Sequence, residues 1–162
     1  MLFGGCGAVA ALLGWWALAP RVPADPAWVS MALRLGHATV ALLPGAAVLA
    51  LMILAQMALR LAGGVVDPLA GRETRALLVN QRAISNTVEQ FAVFSPALLA
   101  LAAGVPGPRM ADVIALGLVF AAARLLFWLG YLAAPAGRAF GMAATLTVTL
   151  GTLGAAGWVW VR

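Results

Sequence analysis

The chain has 162 residues, of which 64% are hydrophobic and 9% charged, and its mean hydropathy is +1.02. A soluble domain carries about a quarter charged residues, so there is too little polar surface here to coat a water-soluble globule, and the solvent of this chain is lipid. The net charge of +5 comes from ten arginines against five acids; scattered at helix ends and within apolar segments, they suit topology and anionic headgroups and lack the basic runs with interleaved aromatics that nucleic acid requires.

A membrane-crossing helix needs roughly 20 predominantly apolar residues, and five segments meet that requirement. The first, residues 2–19, is stopped by the proline-rich stretch 20–26. Ala17-Leu18-Ala19 imitates a signal-peptide cleavage site, but no positive charge precedes the apolar run, the run is long for a signal core, and Pro20 follows. A retained helix is therefore expected. An interfacial stretch, residues 28–37, leads to the second span, 38–59, closed by Arg60 and Gly63-Gly64. A polar loop, 67–75, follows. The third span, 75–103, is long enough to project a helical turn or more beyond the hydrocarbon. The short turn at 104–108 forces the third and fourth spans to be antiparallel neighbours. The fourth span is 113–133, and Pro135-Ala136-Gly137 leads to the fifth, 140–161. With backbone hydrogen bonds satisfied internally, the architecture is an all-α polytopic membrane helix bundle.

One end of this bundle holds Arg60, Arg72, Arg75 and Arg138, the other Arg21, Arg34, Arg109 and Arg162. The cluster Arg60/Arg72/Arg75 lies close to two span ends and places that side in the cytoplasm. Trp15, Trp16, Trp28, Trp158 and Trp160 fall near span ends as belt anchors, whereas Trp128 lies deeper and packs. In the last span Gly151, Gly154, Ala155 and Gly157 offer a small-residue surface for helix contact. Cys6, the lone cysteine, is a small apolar filler that permits no intrachain disulfide. His37 has no second histidine or carboxylate at ligand spacing and is an interfacial residue; no metal site is expected.

The third span carries a polar stripe. Arg82, Asn86 and Glu89, at i, i+4 and i+7, lie within about 60° on one face, and Glu89 is about 10 Å along the axis from Arg82. A charge at the bilayer centre costs about 2.5–3.5 kcal/mol on insertion scales, so the stripe faces the bundle, a subunit partner or a wet cavity. The fourth span answers with Arg124, Phe127 and Tyr131 at i, i+3 and i+7, and Arg138 opens the fifth. Glu89 and Arg124 are natural counter-ions across adjacent helices. One interpretation is a satisfied network holding helices or subunits in register. The other rests on stoichiometry: Arg82, Arg124 and Arg138 outnumber one carboxylate, and surplus guanidinium forks suit an anionic ligand with carboxylates.

Arg82-Ala83-Ile84-Ser85-Asn86-Thr87-Val88-Glu89 resembles the R-x-x-x-N-x-x-E signature of the MAPEG superfamily, membrane-associated proteins in eicosanoid and glutathione metabolism. The stretch 80–94 is similar to bacterial members, as is Arg124-Leu125-Leu126-Phe127-Trp128-Leu129-Gly130-Tyr131 followed by Arg138-Ala139-Phe140-Gly141. The resemblance covers residue 38 to the C-terminus. It implies a MAPEG-like four-helix membrane domain over 38–162, with an extra N-terminal transmembrane helix and interfacial linker over 1–37. It further implies a homotrimer in the bacterial inner membrane, with glutathione held as co-substrate between subunits near the cytoplasmic side. Arg82, Asn86, Glu89, Arg124 and Tyr131 would bind glutathione, and Arg138 would stabilise its thiolate as the catalytic residue. Two tyrosines found in relatives are Gln90 and Phe127 here, a departure from the eicosanoid branch.

Two functions follow as expectations: a glutathione-dependent transferase or peroxidase acting on a hydrophobic small-molecule electrophile from the bilayer, or a non-catalytic lipid-binding or scaffold protein using the stripe for assembly. A small transporter would show inverted repeats and a broken helix, and the sequence has neither.

Overall fold

The computed structural model describes residues 2–64, 73–134 and 136–162. Most of the expected polar loop, 67–72 including Arg72, lies outside the described residues, as does Pro135. Five helices follow in order: α1 (Leu2–Leu18), α2 (Met31–Ala62), α3 (Arg75–Gly104), α4 (Met110–Ala133) and α5 (Arg138–Val161). Helices α2 to α5 are long and apolar enough to cross a membrane. With 17 residues, α1 spans about 25 Å at 1.5 Å per residue, at the short limit for a crossing.

The helices alternate in direction. Arg34 on α2 meets the end of α3, while Arg60 meets Glu73 just before α3. Phe94 of α3 stacks on Phe120 of α4, ring centroids 4.2 Å apart, and Arg124 of α4 reaches Thr145 of α5. The expected antiparallel contact of α3 and α4 is present. Ala38, Leu98, Ala102, Met110, Val113 and Phe120 form the apolar centre. Below it, Asn80 donates to the Met52 carbonyl (2.9 Å) and to Gln56 Oε1 (2.8 Å), and accepts from Trp128 Nε1 at 2.7 Å. This amide, fully inside the bundle, ties α2, α3 and α4 together.

Three expectations are corrected. Residues 31–37, expected as an interfacial stretch, are the first two turns of α2. Arg34 makes this possible, because its guanidinium donates to the carbonyls of Ala102 and Ala103 at the end of α3 and to those of Trp28 and Val29. Those α3 carbonyls have no partner within the helix. Trp28, expected as a belt anchor, is 3% exposed and packs edge-on against His37. The small-residue surface is not used within the protomer, since Gly154 and Gly157 face open space.

The first helix packs on α5 and α4. A Cβ on Gly7 would lie 2.1 Å from the Phe140 carbonyl oxygen, so only glycine lets α1 cross the start of α5 so closely. From there Ala11 and Trp15 run alongside Val148 and Thr152, which makes α1 parallel to α5.

Candidate functional site

At the end of the bundle where α4 hands over to α5, a cleft of about 360 Å³ opens between α3, α4 and α5. Arg82, Asn86, Phe127, Tyr131, Arg138, Ala139 and Met142 line it. Gly141 sets how tightly α5 closes the base. Its missing Cβ would lie 2.2 Å from the Phe127 nitrogen, so the α5 backbone rests directly on α4.

Behind the cleft, Arg124 is fully buried. Its Nη2 donates to Thr87 Oγ1 at 2.7 Å and to Asn86 Oδ1 at 3.1 Å; Nε also donates to Thr87 (3.2 Å), and Nη1 to Thr145 Oγ1 (3.4 Å). Thr87 in turn donates to the Ala83 carbonyl (2.7 Å), and Thr145 to that of Gly141 (2.7 Å), so both hydroxyls present lone pairs to the guanidinium. The cation also lies over the Phe127 ring, 4.1 Å from its centroid, a favourable place for it. Phe127 and Tyr131 tilt against each other at 5.8 Å. Arg138 then covers Tyr131 at 5.0 Å and donates to its hydroxyl (3.2 Å). Guanidinium, ring, ring and guanidinium form one continuous column.

The column fixes polarity. A guanidinium has donors only, so Arg124 must face the Asn86 oxygen, which leaves the amide nitrogen as the free group of that side chain. Tyr131 accepts from Arg138, which leaves its own hydroxyl hydrogen to give. Arg82 and Arg138, both exposed in the protomer, add their forks. Polar atoms at this cleft are donors, and the complement is an anion.

Four of the six residues singled out from the sequence, Arg82, Asn86, Tyr131 and Arg138, come together here. Arg124 acts from behind, through Asn86. Glu89 does not join them, and the expected pairing of Glu89 with Arg124 is not formed: among the described residues the ion pairs are Arg60–Glu73 and Arg109–Asp112, and His37 Nε2 lies 3.8 Å from Asp25. Nor is Glu89 the buried carboxylate of the stoichiometric argument, because it is exposed on the outer face of α3. Sequence reasoning missed Thr87, Thr145 and Met142. The run of threonines at 145, 147, 149 and 152 in an apolar span was the available signal.

A comparison of the chain with curated proteins finds no match. A family profile does match: the MAPEG family, over residues 37–158. The four crossing helices fall within or close to that range, and both motifs that line and support the cleft lie inside it. The chain is an integral membrane protein that belongs to the MAPEG family.

Proposed function

We propose that the chain is a glutathione-dependent transferase or peroxidase acting on hydrophobic electrophiles that enter from the bilayer, with glutathione as co-substrate in the cleft between α3, α4 and α5. One observation carries this reading: the polar groups at the cleft are donors, held so by Arg124 and Arg138. The residues fit the ligand. Carboxylates of the tripeptide match the forks of Arg82 and Arg138 bidentately, and a volume of about 360 Å³ falls at the lower end of the range for small-molecule sites. Glutathione supplies a thiolate nucleophile when bound. Arg138 favours the charged thiolate over the thiol by direct attraction, and Tyr131 both positions that guanidinium and offers a hydroxyl donor. Asn86, oriented by Arg124, holds a carboxylate through its amide nitrogen.

The same reading includes the homotrimer in a bacterial inner membrane, and the division into an added segment, 1–37, and a four-helix domain, 38–162. Support for assembly comes from Arg82 and Glu89, which face outward from the protomer on a membrane-crossing helix. Covering them with further copies removes charges from lipid, places the cleft at a subunit seam, and gives Glu89 a ligand ammonium or a partner group to hold.

Purified protein is expected to conjugate glutathione to a chromogenic aryl halide. Arg138→Ala is expected to lower kcat/KM about a hundredfold, as loss of one charge-stabilising donor does. Absence of conjugation, or an unchanged Arg138→Ala rate, refutes the mechanism. The position of Glu89 outside the cleft favours the second reading, a non-catalytic lipid-binding or scaffold protein. On that reading Glu89→Gln breaks the oligomer, and glutathione at millimolar concentration produces no thermal shift.

A further inference from the structure

Arg138 opens α5 on an exposed turn at the mouth of the donor-lined cleft. This helix start has no side-chain cap: the N-cap is Gly137, and no side chain accepts from the first amides. Among the described residues the Arg138 guanidinium makes one hydrogen bond, to the Tyr131 hydroxyl at 3.2 Å. Where the fork stands over the cleft is therefore set by where the backbone of this turn is held.

Three close backbone contacts hold it, each made by glycine. A Cβ on Gly137 would collide with the Gly130 carbonyl, and one on Gly141 with the Phe127 backbone, so α4 supports the turn at two points. The third contact comes from α1, where a Cβ on Gly7 would collide with the Phe140 carbonyl. The glycine hydrogen that stands in that place points at the oxygen, a weak Cα–H donor at a close helix crossing. Phe140 is two residues beyond Arg138, in the same turn. The neighbouring glycines of α1 make no such contact: Gly5 has open space where a Cβ would be, and Gly4 would meet only the Ala143 methyl, at 3.9 Å. Gly7 and Ala11 are the buried residues of α1 among those described, so the line on which this helix bears runs through Gly7.

We propose that α1 positions Arg138: bearing on Phe140 through Gly7, it completes the support of the first turn of α5 and fixes the guanidinium against Tyr131 and over the cleft. Gly7 is thus a positioning residue that acts through α5. It lies outside the residues matched by the family profile, 37–158, so an element added to the four-helix domain sets the geometry of an arginine within it. The placement matters to any anion in the cleft, because a misplacement of about 1 Å can cost roughly a hundredfold in rate. Only the conjugation arm of the test below rests on the glutathione reading.

Tyr131 is the only tyrosine of the chain, so full-length protein labelled with carbon-13 at the tyrosine Cζ gives a single ring signal. That signal senses whether Arg138 donates to the hydroxyl, and Arg138→Met supplies the reference for a lost contact. In lipid nanodiscs, Gly7→Ala is expected to move the signal at least halfway to that reference, and Gly5→Ala to leave it in place. A helix that merely props the fold would lower the melting temperature of Gly7→Ala without moving the tyrosine signal, and that result overturns the proposal. Glutathione conjugation by Gly7→Ala is expected to fall about ten- to hundredfold in kcat/KM. Wild-type protein without conjugation refutes the glutathione reading, while the tyrosine signal, which needs no ligand, still decides for or against the role of α1. If Gly7→Ala does not fold, Gly4→Cys with Ala143→Cys in a Cys6→Ser background carries the test, since a Cβ separation of 3.9 Å suits a disulfide. Closing that bond is expected to slow amide exchange of residues 140–143 about three- to tenfold relative to the reduced form; unchanged exchange overturns the proposal.

Discussion

At the scale of single residues, the telling position is Thr87. It accepts two hydrogen bonds from a guanidinium with no exposed surface, so its removal leaves a buried cation short of partners. Thr87→Val keeps the shape and is expected to destabilise the protein by about 1–3 kcal/mol, read as a lowered melting temperature in detergent. Ligand affinity should weaken too, because Asn86 loses the fixed donor that orients it. Arg82, Asn86 and Tyr131 were singled out from helical spacing, which tells which side chains share a face, whereas Arg138 was singled out from its place just past the last turn and from the family resemblance. Spacing does not tell how that face is turned toward the neighbouring helix. Thr87 and Glu89 are two residues apart, hence about 160° apart around the axis. Once Thr87 meets Arg124, Glu89 points outward. That rotation is set by packing, through the Phe94–Phe120 stack and the bonds of buried Asn80 to α2 and α4, and no local pattern records it.

At the scale of elements, Arg34 joins the start of α2 to the end of α3 through four carbonyls. Arg34→Met is expected to cost about 1.5–3 kcal/mol, the range for hydrogen bonds made by a charged group. Faster amide exchange should appear around residues 101–105 and 28–34, while the donor-lined cleft at the opposite end stays unchanged. Unchanged exchange there would show that these bonds carry no stability. The five helices were legible because apolar length and Gly/Pro punctuation are strong signals in lipid. The start of α2 was not, because an arginine and a histidine mimic an interface until the carbonyls that receive the arginine are known.

At the scale of the whole molecule, the outer face of α3 carries Arg82 and Glu89 among apolar surface such as Val88 and Val93. A single protomer in lipid would expose both charges, so native mass spectrometry from mild detergent is expected to find trimers, and Glu89→Lys to shift them toward monomer. Exclusively monomeric wild-type protein would exclude an intersubunit site. By contrast, α1 lies on α4 and α5, and its Gly7 contact fixes it there.

Five helices that alternate in direction bring the two described ends of the chain to opposite ends of the bundle. Leu2 lies at the end of the bundle that holds Arg60 and the donor-lined cleft, and Val161 lies at the other. A fluorescent reporter that matures only in reducing cytosol, fused at either end, therefore reports from which aqueous phase the cleft is supplied. Signal from the N-terminal fusion and darkness from the C-terminal one are the outcome that the proposed function requires, with its water-soluble reactant supplied from the cell interior and its oily one from the membrane.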